Sequence, residues 1–88
     1  MNGNLALDTN AVIAYRAGVA QAVAPIEEAE RVFLPLVVLG ELLYGADISA
    51  RPDENRQAVR AVEDGCVLLE PDKETAALYA SIRGEARA

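Results

Sequence analysis

The sequence predicts an α/β fold with a parallel sheet, and two observations support this prediction. Short apolar runs typical of buried strands alternate with longer runs that have helical character. A helix between successive strands is the connection typical of a parallel sheet. The 88 residues accommodate three strands and four or five helices, which is a thin sheet for this class.

The first strand is predicted at Leu5–Leu7, an apolar run that ends abruptly at polar residues. A helix should begin near Asn10 and end near Gly18. Either Asp8 or Thr9 is suited to cap its first turn. The strand therefore leads directly to a carboxylate at the start of a helix.

The middle of the chain is predicted to form a helix, a strand and a second helix. Residues 19–31 are rich in alanine and acidic toward their end, so they should be helical. Pro25 should start a new segment or kink this helix, because its nitrogen cannot donate a helix hydrogen bond. Residues 31–34 are predicted as the second strand, and Pro35 suits the first position of a helix over residues 36–46. That helix has almost no polar face, so it should be central or at an interface.

The last third repeats the same order of elements. A helix is predicted over residues 53–64 and should end at Gly65. Residues 66–70 form the third predicted strand, closed by Pro71, and Asp72 should cap the final helix. The side chains expected to face inward from that helix are Ala76, Leu78, Tyr79 and Ile82.

The composition indicates one small globular domain and excludes several classes of protein. The chain has 23 Leu, Ile and Val residues, too many for a disordered chain, and nearly all are needed for the core. The single cysteine, Cys66, cannot form an internal disulfide and is expected to be a small core residue. The absence of histidine excludes a zinc finger and a His-dependent catalytic triad within this chain.

Charge and hydropathy limit the possible partners. A net charge of −6 repels polyanions, so a nucleic acid would have to be met locally, through bound cations. Arg51, Arg56 and Arg60 lie among acidic residues and are interpreted as a surface patch; the alternative is that they contact nucleic acid. No apolar run is long enough to span a bilayer, and no basic segment precedes an apolar stretch at the N-terminus. A cytoplasmic location without membrane contact is expected.

Two acidic residues are candidates for a functional site. Asp8 follows a predicted strand, and ligand sites in open α/β sheets lie at the carboxyl ends of strands; alternatively, it is only a helix cap. Glu41 lies in the most apolar helix, with no Lys or Arg three or four positions away. A buried carboxylate there would recruit a cation, whereas the alternative is that Glu41 points to water. Gly40 and Gly45 suggest that a backbone or ligand approaches closely beside it.

Together, Asp8 and Glu41 suggest a site for a hard divalent cation. Magnesium prefers a few carboxylates plus waters and usually shares a substrate phosphate. Thr9 would either orient a water of that cation through its hydroxyl or serve the helix cap. Asn10 would either support the site or make local turn hydrogen bonds.

Two blocks of sequence resemble a known family. The first is LALDTN at residues 5–10, and the second is FLPLVVLGELLYGA at residues 33–46. With this separation they resemble the PIN-domain family, and within it the VapC-type toxins of bacterial and archaeal toxin–antitoxin pairs. The resemblance extends over essentially the whole chain.

The resemblance implies a fold, an activity and a set of partners. The fold would be a three-layer α/β/α sandwich with a parallel sheet in strand order 3-2-1-4-5, of which only the first three strands are present. The activity would be that of a Mg²⁺- or Mn²⁺-dependent endoribonuclease, with Asp8 and Glu41 as catalytic metal ligands and Thr9 and Asn10 in supporting positions. The implied partners are a cognate antitoxin, an RNA substrate and a second copy of the chain.

The chain departs from the family's pattern after its last predicted helix. The family supplies a third acidic ligand, often a fourth, and two more strands, all of which would lie beyond Ala88. Residues 1–88 are therefore expected to be the N-terminal part of a single PIN-like domain, inactive or nearly so by itself. Two alternatives are a non-catalytic remnant that binds an antitoxin or dimerises, and a receiver-like module. The single lysine, Lys73, argues against the receiver-like module.

Overall fold

A computed structural model describes residues 3–87 of the chain, and the side chains of residues 3–82. Within this part of the chain, three strands alternate with five helices, as the sequence predicts. Their order is β1 (Asn4–Ala6), α1 (Thr9–Arg16), α2 (Ala20–Glu28), β2 (Arg31–Pro35), α3 (Leu36–Asp47), α4 (Pro52–Asp64), β3 (Val67–Leu69) and α5 (Lys73–Arg87). The expectations about a segment after Ala88 lie outside the described residues.

The sheet is parallel, and β2 lies between β1 and β3. Leu5 of β1 is paired with Val32 of β2, and Leu34 of β2 with Leu68 of β3. This arrangement confirms the order 3-2-1 that the resemblance implies for these strands. In the described sheet, β1 and β3 are the edge strands.

Successive strand residues face two separate cores, because side chains alternate across a pleated sheet. Leu34 belongs to a core shared with α1, α3 and α4, whose other buried members are Leu7, Val12, Val38, Leu39, Leu42 and Val59. Phe33 belongs to a second core, with Ala6, Leu69 and Ile82. Since Ile82 comes from α5, helices cover both faces of the sheet. The three-layer α/β/α architecture is therefore confirmed.

The first helix begins as the sequence predicts, and the second continues through Pro25. Asp8 is the N-cap of α1, and its Oδ1 accepts the Ala11 N–H at 2.7 Å. Gly18 has φ +77°, which favours glycine. Pro25 lies inside α2, which continues to Glu28, so of the two alternatives given for it the start of a new segment is excluded. The φ of proline suits a helix, and α2 has no buried residue, so one lost hydrogen bond is tolerated.

The predictions for the last helix are only partly confirmed. Asp72 precedes α5, and its Oδ1 accepts the Thr75 N–H at 2.7 Å, as expected of a cap. Ile82 is buried, as predicted. Leu78 is 40% exposed and Ala76 is also exposed, so the inward placement predicted for them is wrong. The core on this face draws on α5 alone among the described helices, which leaves the flanks of α5 uncovered.

The Asp72 cap should make the stability of the chain depend on pH in acid. The hydrogen bond from the Thr75 N–H lowers the pKa of the Asp72 carboxyl from its usual 3.8. Because the folded-state pKa is lower than the unfolded one, this stabilisation is present above the unfolded pKa and is lost as the pH falls through the folded pKa. Asp72→Ala should lower the urea midpoint at neutral pH, and its difference from wild type should shrink below about pH 4.

Asp72→Asn is the matched control for that measurement, since asparagine caps a helix about as well but does not titrate. A wild-type advantage over Asp72→Ala that stays constant down to about pH 2 would show that the Asp72 charge contributes nothing.

Among the residues that the structure describes, no helix has both the length and the apolar character needed to span a membrane.

Candidate functional site

Asp8 lies where β1 ends and α1 begins. The Leu7 N–H still donates to the Phe33 carbonyl at 2.9 Å, so the β1–β2 pairing extends to the residue before Asp8. Asp8 then turns the chain into α1 as its N-cap. This places the Asp8 carboxylate at the carboxyl ends of the strands, where open α/β sheets bind their ligands. The two interpretations of Asp8, helix cap and site residue, are therefore compatible.

Glu41 is brought to the same place by a side-chain hydrogen bond between two helices. The Thr9 hydroxyl, on the first residue of α1, donates to Glu41 Oε1 on α3 at 2.6 Å. The two residues are 32 positions apart in the sequence. Since Thr9 directly follows Asp8, this bond places Glu41 beside the end of β1. The structure thus brings Asp8, Thr9 and Glu41 into one cluster.

The environment of Glu41 corrects part of the sequence analysis. Glu41 is exposed, and no buried polar or charged side chain occurs among the described residues. Its Oε2 has no hydrogen-bond partner in that part of the chain. A cation would therefore compete with water for the exposed Glu41 carboxylate, and its binding would not neutralise a buried charge.

The two glycines of α3 also differ from expectation. A Cβ added at Gly40 or at Gly45 would meet no atom within 4 Å. No described residue approaches either glycine closely, so the expected approach of another backbone is wrong. Both positions leave the surface beside Glu41 uncovered.

The helix that carries Glu41 has one buried face and one exposed apolar face. Its buried residues are Val38, Leu39, Leu42 and Ala46, as expected for a central helix. Val37 and Tyr44, four positions before and three after Glu41, are 69% and 66% exposed. The Glu41 carboxylate is therefore flanked by exposed apolar side chains.

The donor atoms of the cluster suit a hard divalent cation by type but are few in number. Carboxylate and hydroxyl oxygens are the ligands that Mg²⁺ prefers. No group of three or more His, Cys, Asp or Glu side chains able to hold a metal occurs among the described residues. Asn10 is exposed, and its side chain makes no hydrogen bond within the same residues, so no contact supports a role for it.

Two of the three arginines in this region, Arg51 and Arg56, form surface ion pairs. Arg56 donates to the Asp47 carboxylate at 2.5 and 3.0 Å, and this contact lowers the pKa of Asp47. Arg51 pairs with Glu54 at 3.2 Å. These contacts place Arg51 and Arg56 in a surface patch together with the acidic residues that surround them.

Comparison with protein families identifies the chain. Residues 5–87 match the family model described as the PIN domain. Because the match covers nearly the whole chain, the protein belongs to the PIN domain family.

Two solved structures share the fold. A chain in the crystal structure of DNA-bound VapBC from Salmonella typhimurium has a TM-score of 0.69 and 22% identity, covering 99% of this chain and 67% of that one. A chain in the structure of VapBC2 from Rickettsia felis, bound to a DNA fragment from its promoter, has a TM-score of 0.68, 18% identity and the same coverage. At these identities the likeness concerns the fold. A comparison with curated proteins finds no match.

Proposed function

We propose that this protein is the metal-dependent endoribonuclease toxin of a toxin–antitoxin pair and hydrolyses RNA phosphodiesters. One observation carries the proposal: in a PIN-family chain, the Thr9 hydroxyl, on the residue that follows Asp8, donates a hydrogen bond to Glu41. The likeness to chains of two VapBC complexes supports the toxin–antitoxin assignment. The PIN family generally uses divalent metals, which supports the dependence on Mg²⁺ or Mn²⁺.

In this proposal Asp8 and Glu41 hold the cation and Thr9 positions Glu41. The helix cap fixes the Asp8 carboxylate, because its Oδ1 is held by the Ala11 N–H. The Thr9 hydroxyl holds Glu41 Oε1, which restricts the rotamers of an otherwise exposed side chain. A bound Mg²⁺ or Mn²⁺ would supply the Lewis acidity that activates water and stabilises charge on the phosphate. The catalytic roles of Asp8 and Glu41, and the supporting roles of Thr9 and Asn10, are part of the proposal.

The net charge of −6 makes this cation important for substrate binding as well as for chemistry. An RNA backbone is repelled by the protein as a whole, so it needs local positive charge beside the carboxylates. The location we propose is the cytoplasm, where such an RNA substrate occurs.

The other partners we propose are a cognate antitoxin and a second copy of the chain. Exposed apolar side chains occur on the two helices that carry Thr9 and Glu41, and patches of this kind mark association surfaces. They comprise Ile13 on α1, Val37 and Tyr44 on α3, and Ile48 at the end of α3. We propose that a second copy of the chain binds at this surface and so forms a homo-oligomer.

A non-catalytic role is the second candidate, and one observation favours it. The described residues offer two carboxylates at the cluster and no third acidic ligand. A chain with so few ligands would hold the metal weakly and act through antitoxin binding or dimerisation. If the 88 residues are the N-terminal part of a longer PIN-like domain, this candidate applies to them alone.

RNA cleavage by the purified protein, with every residue that its gene encodes, distinguishes the two candidates. We expect cleavage in Mg²⁺ or Mn²⁺ and none in EDTA, because in this proposal the cation supplies the Lewis acidity that activates water. The isolated 88 residues should cut weakly or not at all. Cleavage that persists in EDTA would contradict the nuclease proposal, and its absence in every metal would favour the non-catalytic role.

A further inference from the structure

A second polar contact joins α1 to the end of α3, away from the candidate site. Asn55, near the start of α4, makes this contact with both ends of its side-chain amide. Its Nδ2 donates to Ser49 Oγ at 2.8 Å, and its Oδ1 accepts from Arg16 Nη2 at 3.4 Å. Because a guanidinium can only donate, the amide oxygen has to face Arg16. The Ser49 hydroxyl in turn donates to the Ala46 carbonyl of α3 at 2.6 Å.

This contact and the bond at the candidate site lie on one face of α1. Thr9 and Arg16 are seven positions apart, which is about two turns of an α-helix. Val12, the one buried residue of α1, lies between them at helical spacing. Thr9 is bonded to Glu41 in the middle of α3. Asn55 links Arg16 to the residue two positions after α3 ends. The two helices therefore share a polar contact at each end and apolar packing between.

Few other contacts hold α1 in place. It has eight residues, and its neighbour α2 contributes no buried residue. The bond between Thr9 and Glu41 is exposed, so water competes with it. The bond between Asn55 and Ser49 is partly buried, so water competes less. The position of α1 on α3 should therefore depend on the contact at Asn55 as well as on the contact at Glu41.

We propose that Asn55 is a positioning residue for the candidate site. Through Arg16 it holds the carboxyl end of α1 beside the end of α3, and so keeps Thr9 at hydrogen-bond distance from Glu41. An amide suits this role because it donates and accepts at the same time. Without Asn55, α1 tilts on Val12 and the bond to Glu41 opens. The consequence for cation binding rests on the proposed function, whereas the consequence for the bond itself does not.

Carbon-13 NMR of the Glu41 carboxyl carbon, on the metal-free protein with every residue that its gene encodes, tests the proposal. Thr9→Val removes the donor hydroxyl and gives the chemical shift of a Glu41 carboxylate without this bond. We expect Asn55→Ala and Arg16→Met each to move the signal at least halfway from its wild-type position to its position in Thr9→Val. Both variants break the link between α1 and the end of α3.

Three control variants separate this effect from other changes. Gln57→Ala removes an exposed amide from the same helix as Asn55. Arg51→Met removes the same charge as Arg16→Met from an exposed arginine that pairs on its own side of the fold, just before α4. Leu68→Ala removes apolar contacts on β3, away from α1. The Glu41 signal should keep its wild-type position in all three.

Several results would overturn the proposal. One is a Glu41 signal that keeps its wild-type position in Asn55→Ala or in Arg16→Met. Another is an equal shift in Leu68→Ala, because general destabilisation would then account for the change. A third is a signal that Thr9→Val leaves unmoved, because the bond would then not form in solution.

Mn²⁺ affinity, measured by electron paramagnetic resonance, distinguishes this inference from the proposed function. If both hold, Asn55→Ala should weaken Mn²⁺ binding about threefold to tenfold, at or below the low end of the effect of residues that directly support metal ligands, and Gln57→Ala should not weaken it. A shifted Glu41 signal in a protein that binds no Mn²⁺ would contradict the proposed function and retain the positioning role. Mn²⁺ binding with an unmoved Glu41 signal in Asn55→Ala would do the reverse.

Discussion

Asp8→Asn and Glu41→Gln are each expected to lower RNA cleavage in Mg²⁺ or Mn²⁺ by about 100-fold or more. Residues that merely support metal ligands already change activity by about 10- to 100-fold, and these two are the proposed ligands themselves. Cleavage rates at saturating metal, measured on the protein with all residues that its gene encodes, provide the comparison.

Folding should not account for this loss. Asparagine can accept the Ala11 N–H as aspartate does, so Asp8→Asn keeps the cap of α1. Glu41 is exposed, so Glu41→Gln leaves no buried group unpaired. Glu28→Gln, the same change on exposed α2, is the control and should cleave like wild type. Full activity in either site variant would contradict the assignment of the carboxylate that it removes.

Leu34→Ala is expected to destabilise the chain by about 2–5 kcal/mol, the cost of removing a fully buried leucine. Leu34 has no exposed surface and lies on the central strand β2, where it joins the core shared by three helices. A chain of this size has an unfolding free energy of roughly 4–13 kcal/mol, so the substitution should remove a large share of it. Urea unfolding followed by far-UV circular dichroism measures the difference.

Leu68→Ala is the matched control, because Leu68 is the register partner of Leu34 on β3 and is 40% exposed. It should cost well below half as much as Leu34→Ala, since less apolar surface leaves the core. Equal losses of unfolding free energy in the two variants would mean that Leu68 on β3 is as deeply buried in solution as Leu34.

Elements with a periodic pattern and a chemical boundary could be predicted from the sequence. The strand before Asp8 and the helix that Asp8 caps follow from one apolar run and one capping residue. The same is true of Asp72 and α5. The continuation of α2 past Pro25 could not be predicted. An exposed helix tolerates the loss of one hydrogen bond, and the helix propensities of the residues do not show that α2 is exposed.

The candidate site could be predicted in its residues but not in its contacts. Asp8 and Glu41 stand out because each lies next to an apolar stretch. The hydrogen bond from Thr9 to Glu41 joins residues 32 positions apart, and only the packing of α1 against α3 brings them together. The sequence leaves two alternatives for Glu41, a buried carboxylate that recruits a cation and an exposed carboxylate that points to water. The absence of Lys and Arg three or four positions away on the helix does not decide between them.

Binding of Mn²⁺ by the 88-residue chain, followed by the loss of the free-ion signal in electron paramagnetic resonance, tests the proposed metal site most directly. Wild type should show one weak saturable site. Asp8→Asn and Glu41→Gln should each abolish it, and Glu28→Gln should retain it, because only the first two remove a proposed ligand. Saturable binding that survives in the Asp8→Asn, Glu41→Gln double variant would show that the cation, if the protein uses one, is held elsewhere.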